Sequence, residues 1–167
     1  MVNWKNGWIV LGIVAIASCK TKAPATTESK KTKPAATRVV TAAGLEQAIL
    51  DEVNKYRKSK GLPPLKSSSV IATEAAMHSQ AMASKQVAFG HDGFENRIKR
   101  ISSRIDGVKA SAENVAQGKL TAAELVRGWS NSAPHRKNME GNYTLTGIGV
   151  SRSSNGVFYY TQLFIRN

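Results

Sequence analysis

Two histidines stand where the backbone has no need of an imidazole: His91 in "FGHDGF" and His135 in "WSNSAPHRKNM". Turns use Gly, Pro, Ser and Asn for reasons of backbone geometry and local hydrogen bonding, so ring nitrogens placed there are available for proton transfer or metal ligation. Glu113, in "AENVAQG", is the kind of carboxylate that orients an imidazole through one nitrogen and leaves the other for chemistry. Two imidazoles that a fold sets side by side can share a divalent ion, most often zinc. Two protein ligands are fewer than a structural zinc site uses, so zinc would bind weakly or conditionally. Ser132 and Ser130 beside His135 are the hydroxyls a serine hydrolase would use, with Glu113 holding His91 or His135 as base. The chain has no GxSxG elbow, and serines in a Ser/Asn/Pro turn ordinarily serve the turn, so hydrolysis ranks below binding. Arg136 and Lys137 would reach a carboxylate or phosphate; a solvated basic face explains them equally well. The third histidine, His78, lies inside a helical pattern four residues after Glu74 and four before Met82. It reads as a satisfied helix histidine at the edge of a core.

The elements that hold these groups are legible in part. "LEQAILDEVNKYRKSKG" places Leu45, Ala48, Ile49, Val53 and Tyr56 on one helical face, with Lys58, Lys60 and Gly61 marking its end. "LPPLK" is a rigid link. "SSSVIATEAAMHSQAMASKQ" forms a second helix that buries Val70, Ile71, Ala75 and Met82, and "ENRIKRISSRI" a shorter third. "SAENVAQG" has no clear period. "TAAELVRGW" opens on Thr121 and Glu124, a capping box, and buries Ala123, Val126 and Trp129. The end of the chain changes period: "YTLTGIGVSR" and "VFYYTQLFI" are β-branched and aromatic, and "SSNG" between them signals a hairpin. The expectation is an α/β domain of about four helices, closed by a small antiparallel sheet, with a core of adequate size for about 120 residues.

The N-terminus sets the compartment. "MVNWKNGWIVLGIVAIASCK" carries one early lysine, an apolar stretch from Trp8 to Ala17, then small residues and Cys19. The stretch is half the length needed to span a bilayer. It reads as a secretory signal ending at a lipidated cysteine, because "IASC" is similar to the lipobox of bacterial lipoproteins and Cys19 is the sole cysteine of the 167 residues. A sole thiol also forbids an intramolecular disulfide. Residues 20–43, rich in Lys, Thr, Ala and Pro, read as a disordered tether with six basic groups and one acidic. Residues 45–167 carry 17 basic and 10 acidic groups, so much of the formal +13 sits beside the membrane, facing anionic lipid or wall polymers. Nucleic acid is not expected as a partner of an exported lipoprotein. The domains expected are a signal peptide at 1–18, a tether at 19–43 and a folded domain at 44–167. Lys20 follows the cysteine, which favours an outer-membrane anchor facing the periplasm, the plasma membrane of a one-membrane bacterium being the alternative.

Taken in order, "AILDEVNKYRKSKGLPPLK", the A-x-x-H-S-x-x-M-A of Ala75–Ala83, the glycine-flanked His91, "AENVAQG", "WSNSAPHRKNM" and the final "GIGV…YYTQLF" resemble the CAP superfamily of cysteine-rich secretory, antigen 5 and pathogenesis-related 1 proteins, most of all its disulfide-free bacterial branch. The resemblance covers nearly all of 45–167. It implies a three-layer α-β-α sandwich with a cleft lined by two histidines and two acids. His91 and His135 match the histidines and Glu113 the first acid, a pairing that implies weak or conditional zinc at His91 and His135. The second acid is replaced by Ser132, a departure that bacterial members often share. The function so implied is an envelope-anchored domain that binds a lipid or a cell-wall-derived ligand in a His/Glu cleft. The alternatives are a serine- or metal-dependent hydrolase of a peptide or ester, and a non-catalytic surface adaptor.

Overall fold

Leu45, Ile49 and Val53 are buried along one side of a helix, α1 (Ala42–Ser59), in a computed structural model that describes residues 42–167. The expected signal peptide, Cys19 and nearly all of the tether lie outside the described residues. Ala42 and Ala43, assigned to the tether by composition, already belong to α1. The helix stops as its last residues dictate. Gly61 takes φ +71°, its N–H donates to Lys58 O, and the Leu62 N–H reaches back to Arg57 O, which closes a Schellman cap.

Next come β1 (Lys66–Ser67), α2 (Ser69–Ala83), α3 (Phe94–Ser102), β2 (Ala110–Gly118), α4 (Ala122–Asn131), α5 (Ala133–Glu140), β3 (Leu145–Arg152) and β4 (Phe158–Arg166). The strands form one sheet in the order β1-β3-β4-β2. β3 and β4 make the expected hairpin, with Gly156 at φ +82° in its turn. β2 runs antiparallel along β4, setting Glu113 opposite Leu163 and Asn114 opposite Gln162. The two-residue β1 adds a parallel edge to β3, a detail the rigid-link reading of "LPPLK" did not contain.

Helices cover both faces, so the three-layer sandwich holds. One layer, α1, α4 and α5, buries Ile49, Val53, Leu125, Trp129 and Met139 against Ile148, Val150, Tyr160 and Phe164 of the sheet. The other, α2 and α3, buries Ile71, Ala75 and Ile101 against Leu163 and Ile165. Alternation along β3 and β4 supplies both cores from the same strands. Each fully buried large aliphatic contributes on the order of 1.5–3 kcal/mol through removal from water.

The contact of α2 with β3 is unusually close, and glycine makes it possible. A Cβ on Gly147 would stand 2.1 Å from Ala72 N, and one on Gly149 2.2 Å from Ala76 N. Two strand residues rise about 6.6 Å and four helix residues about 6 Å. Glycines two apart therefore match alanines four apart, and backbone lies on backbone.

The structure corrects some of the sequence readings and completes one that the pattern left unassigned. Val70 is only half-buried and Ala123 is exposed; the buried positions of α4 are Ala122, Leu125, Val126 and Trp129, a face that keeps Val126 and Trp129 and takes Ala122 and Leu125 in place of Ala123. "SAENVAQG" is strand. "SAPHRKNME", expected as a turn, is α5, with Ser132 as N-cap and Pro134 in its first turn, where a missing N–H is harmless. The capping box of α4 is present: Thr121 Oγ1 accepts from Glu124 N–H, and Glu124 Oε2 from Thr121 N–H at 2.9 Å.

Candidate functional site

Glu113 and Asn114 are consecutive on β2, so their side chains leave opposite faces of the sheet. Each reaches one of the two histidines. Glu113 Oε1 lies 2.8 Å from His91 Nδ1. Asn114 Nδ2 donates to the backbone oxygen of His135 at 3.1 Å. Asn138 of α5 ties the two together, its Nδ2 donating to Glu113 O at 3.1 Å and to Asn114 Oδ1 at 2.8 Å. The strand thus carries His91 through a side chain and α5 through a backbone carbonyl.

His91 precedes α3 in a loop set by Gly90 and by Gly93, the left-handed N-cap of α3 at φ +75°. Its ring is half exposed, while the Glu113 side chain is 2% exposed. A carboxylate only accepts, so His91 Nδ1 is the donor, and a neutral His91 keeps Nε2 as a lone pair. Nε2 has no partner among the described residues. His91, Phe94, Ala112, Glu113 and Asn138 line a cleft of about 270 Å³.

His135 sits in the first turn of α5, not in a loop. Its Nδ1 is 2.8 Å from Ser132 Oγ, a contact between N-cap and the third helical residue. Burial lowers its pKa below the usual value, and the charge of a protonated His91 lowers it further. His135 is not among the residues lining the 270 Å³ cleft. α5 is braced from α1: Tyr56 Oη donates to Glu140 at 2.6 Å, and the buried Arg57 caps the end of α5 through Met139 O and Gly141 O.

The group that sequence reasoning passed over is Arg97. Its side chain is 5% exposed and its guanidinium clamps Glu113 in a fork, Nε to Oε2 and Nη2 to Oε1, both at 2.8 Å. The same guanidinium donates to Asp92 O at 2.8 Å and to His78 Nδ1 at 3.2 Å. His78 in turn donates from Nε2 to Gly90 O at 2.9 Å, so it is the neutral Nε2–H tautomer with Nδ1 left to accept. Burial, first of all, and the Arg97 charge hold its pKa below the usual value. His78 is the buried, satisfied helix histidine expected of it, yet it stands two bonds from the cleft. One signal was available: Arg97 falls three residues after Phe94 and four before Ile101, on the apolar face of its helix, and a buried arginine requires an acceptor. One turn on, Arg100 bonds Glu74 Oε2 at 2.7–2.9 Å.

The chemistry of a triad is not assembled. Ser132 contacts His135, but Glu113 is held by His91 and Arg97. Ser130 Oγ donates to Arg127 O at 2.8 Å, and Arg136 Nη1 turns back onto Ser130 O at 3.0 Å, so both serve the end of α4. Lys137 is exposed. For a metal, the donors present are two imidazoles. Both oxygens of Glu113 are engaged, and among the described residues no group of three or more His, Cys, Asp and Glu is arranged to hold an ion. A structural zinc centre does not fit this donor set.

A second hollow, about 510 Å³, shares no lining residue with the cleft. Leu45, Ala48, Leu120 and Phe158 form its apolar wall, and Lys119 and Arg152 also line it.

Residues 50–164 match the model of the cysteine-rich secretory protein family, CAP. YkwD of Bacillus subtilis is 33% identical over 147 residues, covering 86% of this chain and 55% of YkwD; the membrane protein YlbC of the same organism is 32% identical over 126 residues, 72% of this chain and 34% of its own. The chain therefore spans about half of one relative and a third of the other. Among solved structures, an SCP-domain extracellular protein of Bacillus anthracis superposes with TM-score 0.63 at 31% identity, over 75% of this chain and 41% of that one. A cysteine-rich secretory protein of Staphylococcus aureus gives 0.64 at 26%, over 77% and 40%. An outer surface protein of Borrelia burgdorferi gives 0.64 at 16%, over 72% and 91%, a likeness of fold alone.

Proposed function

The chain belongs to the CAP family of cysteine-rich secretory proteins, and on that footing we propose that its folded part is a ligand-binding module of the bacterial cell envelope, working at the His91–Glu113 cleft. One observation carries this: Glu113 takes His91 Nδ1 and leaves Nε2 without a partner among the described residues, at the wall of an open cleft. Such a site accepts a hydrogen bond. The ligand class it suits is rich in O–H and N–H donors, as wall glycans and their peptides are. Zinc binds weakly or conditionally at His91 Nε2, with the ligand completing the coordination. The family likeness to exported proteins, one of them extracellular by its description, supports export, and the expected lipidation of Cys19 supplies the anchor, to an outer membrane facing the periplasm.

The test is a titration of the full-length chain with soluble wall fragments, read by amide shifts. Shifts centred on His91, Phe94 and Asn138 that vanish in His91→Ala support the reading; no shift with glycan or peptide fragments refutes it. A cellular phenotype that survives joint replacement of His91 and His135 would leave the adaptor role. Membrane fractionation of Cys19→Ala checks the anchor: the protein should become soluble, and an unchanged membrane fraction refutes lipidation.

The 510 Å³ hollow supports a second reading, in which an acyl lipid lies along Leu45, Leu120 and Phe158 with its anionic head at Lys119 and Arg152. Lipid co-purifying with the wild type and lost in Phe158→Asp, but not in His91→Ala, would favour it. Hydrolysis has only the Ser132–His135 contact in its favour; labelling by a serine-reactive probe that is lost in Ser132→Ala would raise it.

A further inference from the structure

We propose that Arg97 is the positioning residue of the cleft: one buried guanidinium holds both the carboxylate that orients His91 and the backbone that carries it, and so decides which ring nitrogen of His91 bears the proton. The role rests on the cleft being the working site, but its evidence is Arg97's own contacts.

All five N–H groups of the guanidinium are used. Nε and one N–H of Nη2 take the two oxygens of Glu113. The second N–H of Nη2 faces His91 O at 3.4 Å. The two of Nη1 take Asp92 O and His78 Nδ1. Carboxylate and loop are thereby referred to one rigid plane, which sets Glu113 Oε1 2.8 Å from His91 Nδ1. A lysine has three donors on a flexible stem and cannot span these acceptors. His78 completes the frame from behind: it takes one N–H of Arg97 and spends its own on Gly90 O, which pins the loop one residue before His91. Arg100, on the same helix, bonds Glu74 and no group of the cleft, so it separates positioning from mere attachment of α3 to α2.

The experiment is long-range ¹H–¹⁵N correlation of the three histidines in the full-length chain, above the pH at which the imidazoles are charged, for the wild type, Arg97→Lys, Arg97→Gln and Arg100→Lys. The wild type should show His91 in the Nδ1–H form with a slowly exchanging Nδ1 proton. Both Arg97 variants should lose that proton signal and show a tautomer mixture, and Arg100→Lys should leave it unchanged. Three results would overturn the proposal: a wild-type His91 in the Nε2–H form; an Nδ1–H form that persists in a folded Arg97→Lys or Arg97→Gln; or a failure of both Arg97 variants to fold, which makes the role one of stability. Where only the glutamine variant fails to fold, Arg97→Lys decides. The failure of the cleft reading looks different, since ligand titrations would then be silent while the tautomer stays Nδ1–H.

Discussion

Glu113 and Glu74 are equally buried, each with a side chain 2% exposed, and each is paired with an arginine of α3. Their partners differ. Arg97 is 5% exposed and Arg100 45%. Glu113→Gln keeps the shape but strands a guanidinium that has no way to water. Breaking a buried pair from one side costs about 3–5 kcal/mol, and two unit charges about 4 Å apart at an effective dielectric of 20 interact by about 4 kcal/mol, the same order. After Glu74→Gln, Arg100 swings into solvent, and the loss is limited to charge-assisted hydrogen bonds, about 1.5–3 kcal/mol before screening on its exposed side. Glu113→Gln is therefore expected to destabilise more than Glu74→Gln, by about 3–5 against at most about 1.5–3 kcal/mol, lowering Tm by roughly 12–20 °C in a domain of this size. Urea unfolding followed by fluorescence of the buried Trp129 measures both. Costs equal within about 0.5 kcal/mol, the usual error of such comparisons, would refute the reasoning that the exposure of the cation, not the burial of the acid, sets the difference.

Three further outcomes are expected. Gly149→Ala places a Cβ 2.2 Å from Ala76 N and 2.3 Å from Ala75 C, so α2 must lift from β3 at a cost of about 1–3 kcal/mol or more, whereas Gly128→Ala, with nothing within 4 Å, should stabilise α4 by up to about 1 kcal/mol; thermal melts of the two should move in opposite directions. His78 and His135 have pKa values lowered from the usual 6.5, so the unfolded chain binds more protons. Stability is then complete above about pH 6.5 and falls as pH drops from there toward the lowered values, and the fall should be shallower in His78→Gln when urea midpoints are compared from pH 7 to 5. Calorimetry with zinc should give weak heats for the wild type and less for His91→Ala; identical traces would remove the metal from the cleft.

The local elements were legible in the residues, and of the site the residue types but not their grouping. The α1 face at Leu45, Ile49 and Val53, the Thr121–Glu124 capping box and the β3–β4 hairpin are local consequences of period and turn chemistry, and they appear where expected. The residue types suited Glu113 to hold either His91 or His135, and the structure has it on His91. Other features were settled only by packing. β2 lacks an alternating pattern because Glu113, which alternation would count as an outward polar residue, is buried by Arg97, and Asn114 by α5. α5 is too short for a period, and Pro134 disguises its first turn. Arg97 reads as one basic residue among several in "ENRIKR" until α3 folds across β2 and gives its five donors their acceptors. Periodicity and capping act within a few residues, so the chain itself states them. The partner of a buried charge lies 16 residues away on another element, and no local rule selects it before the layers close.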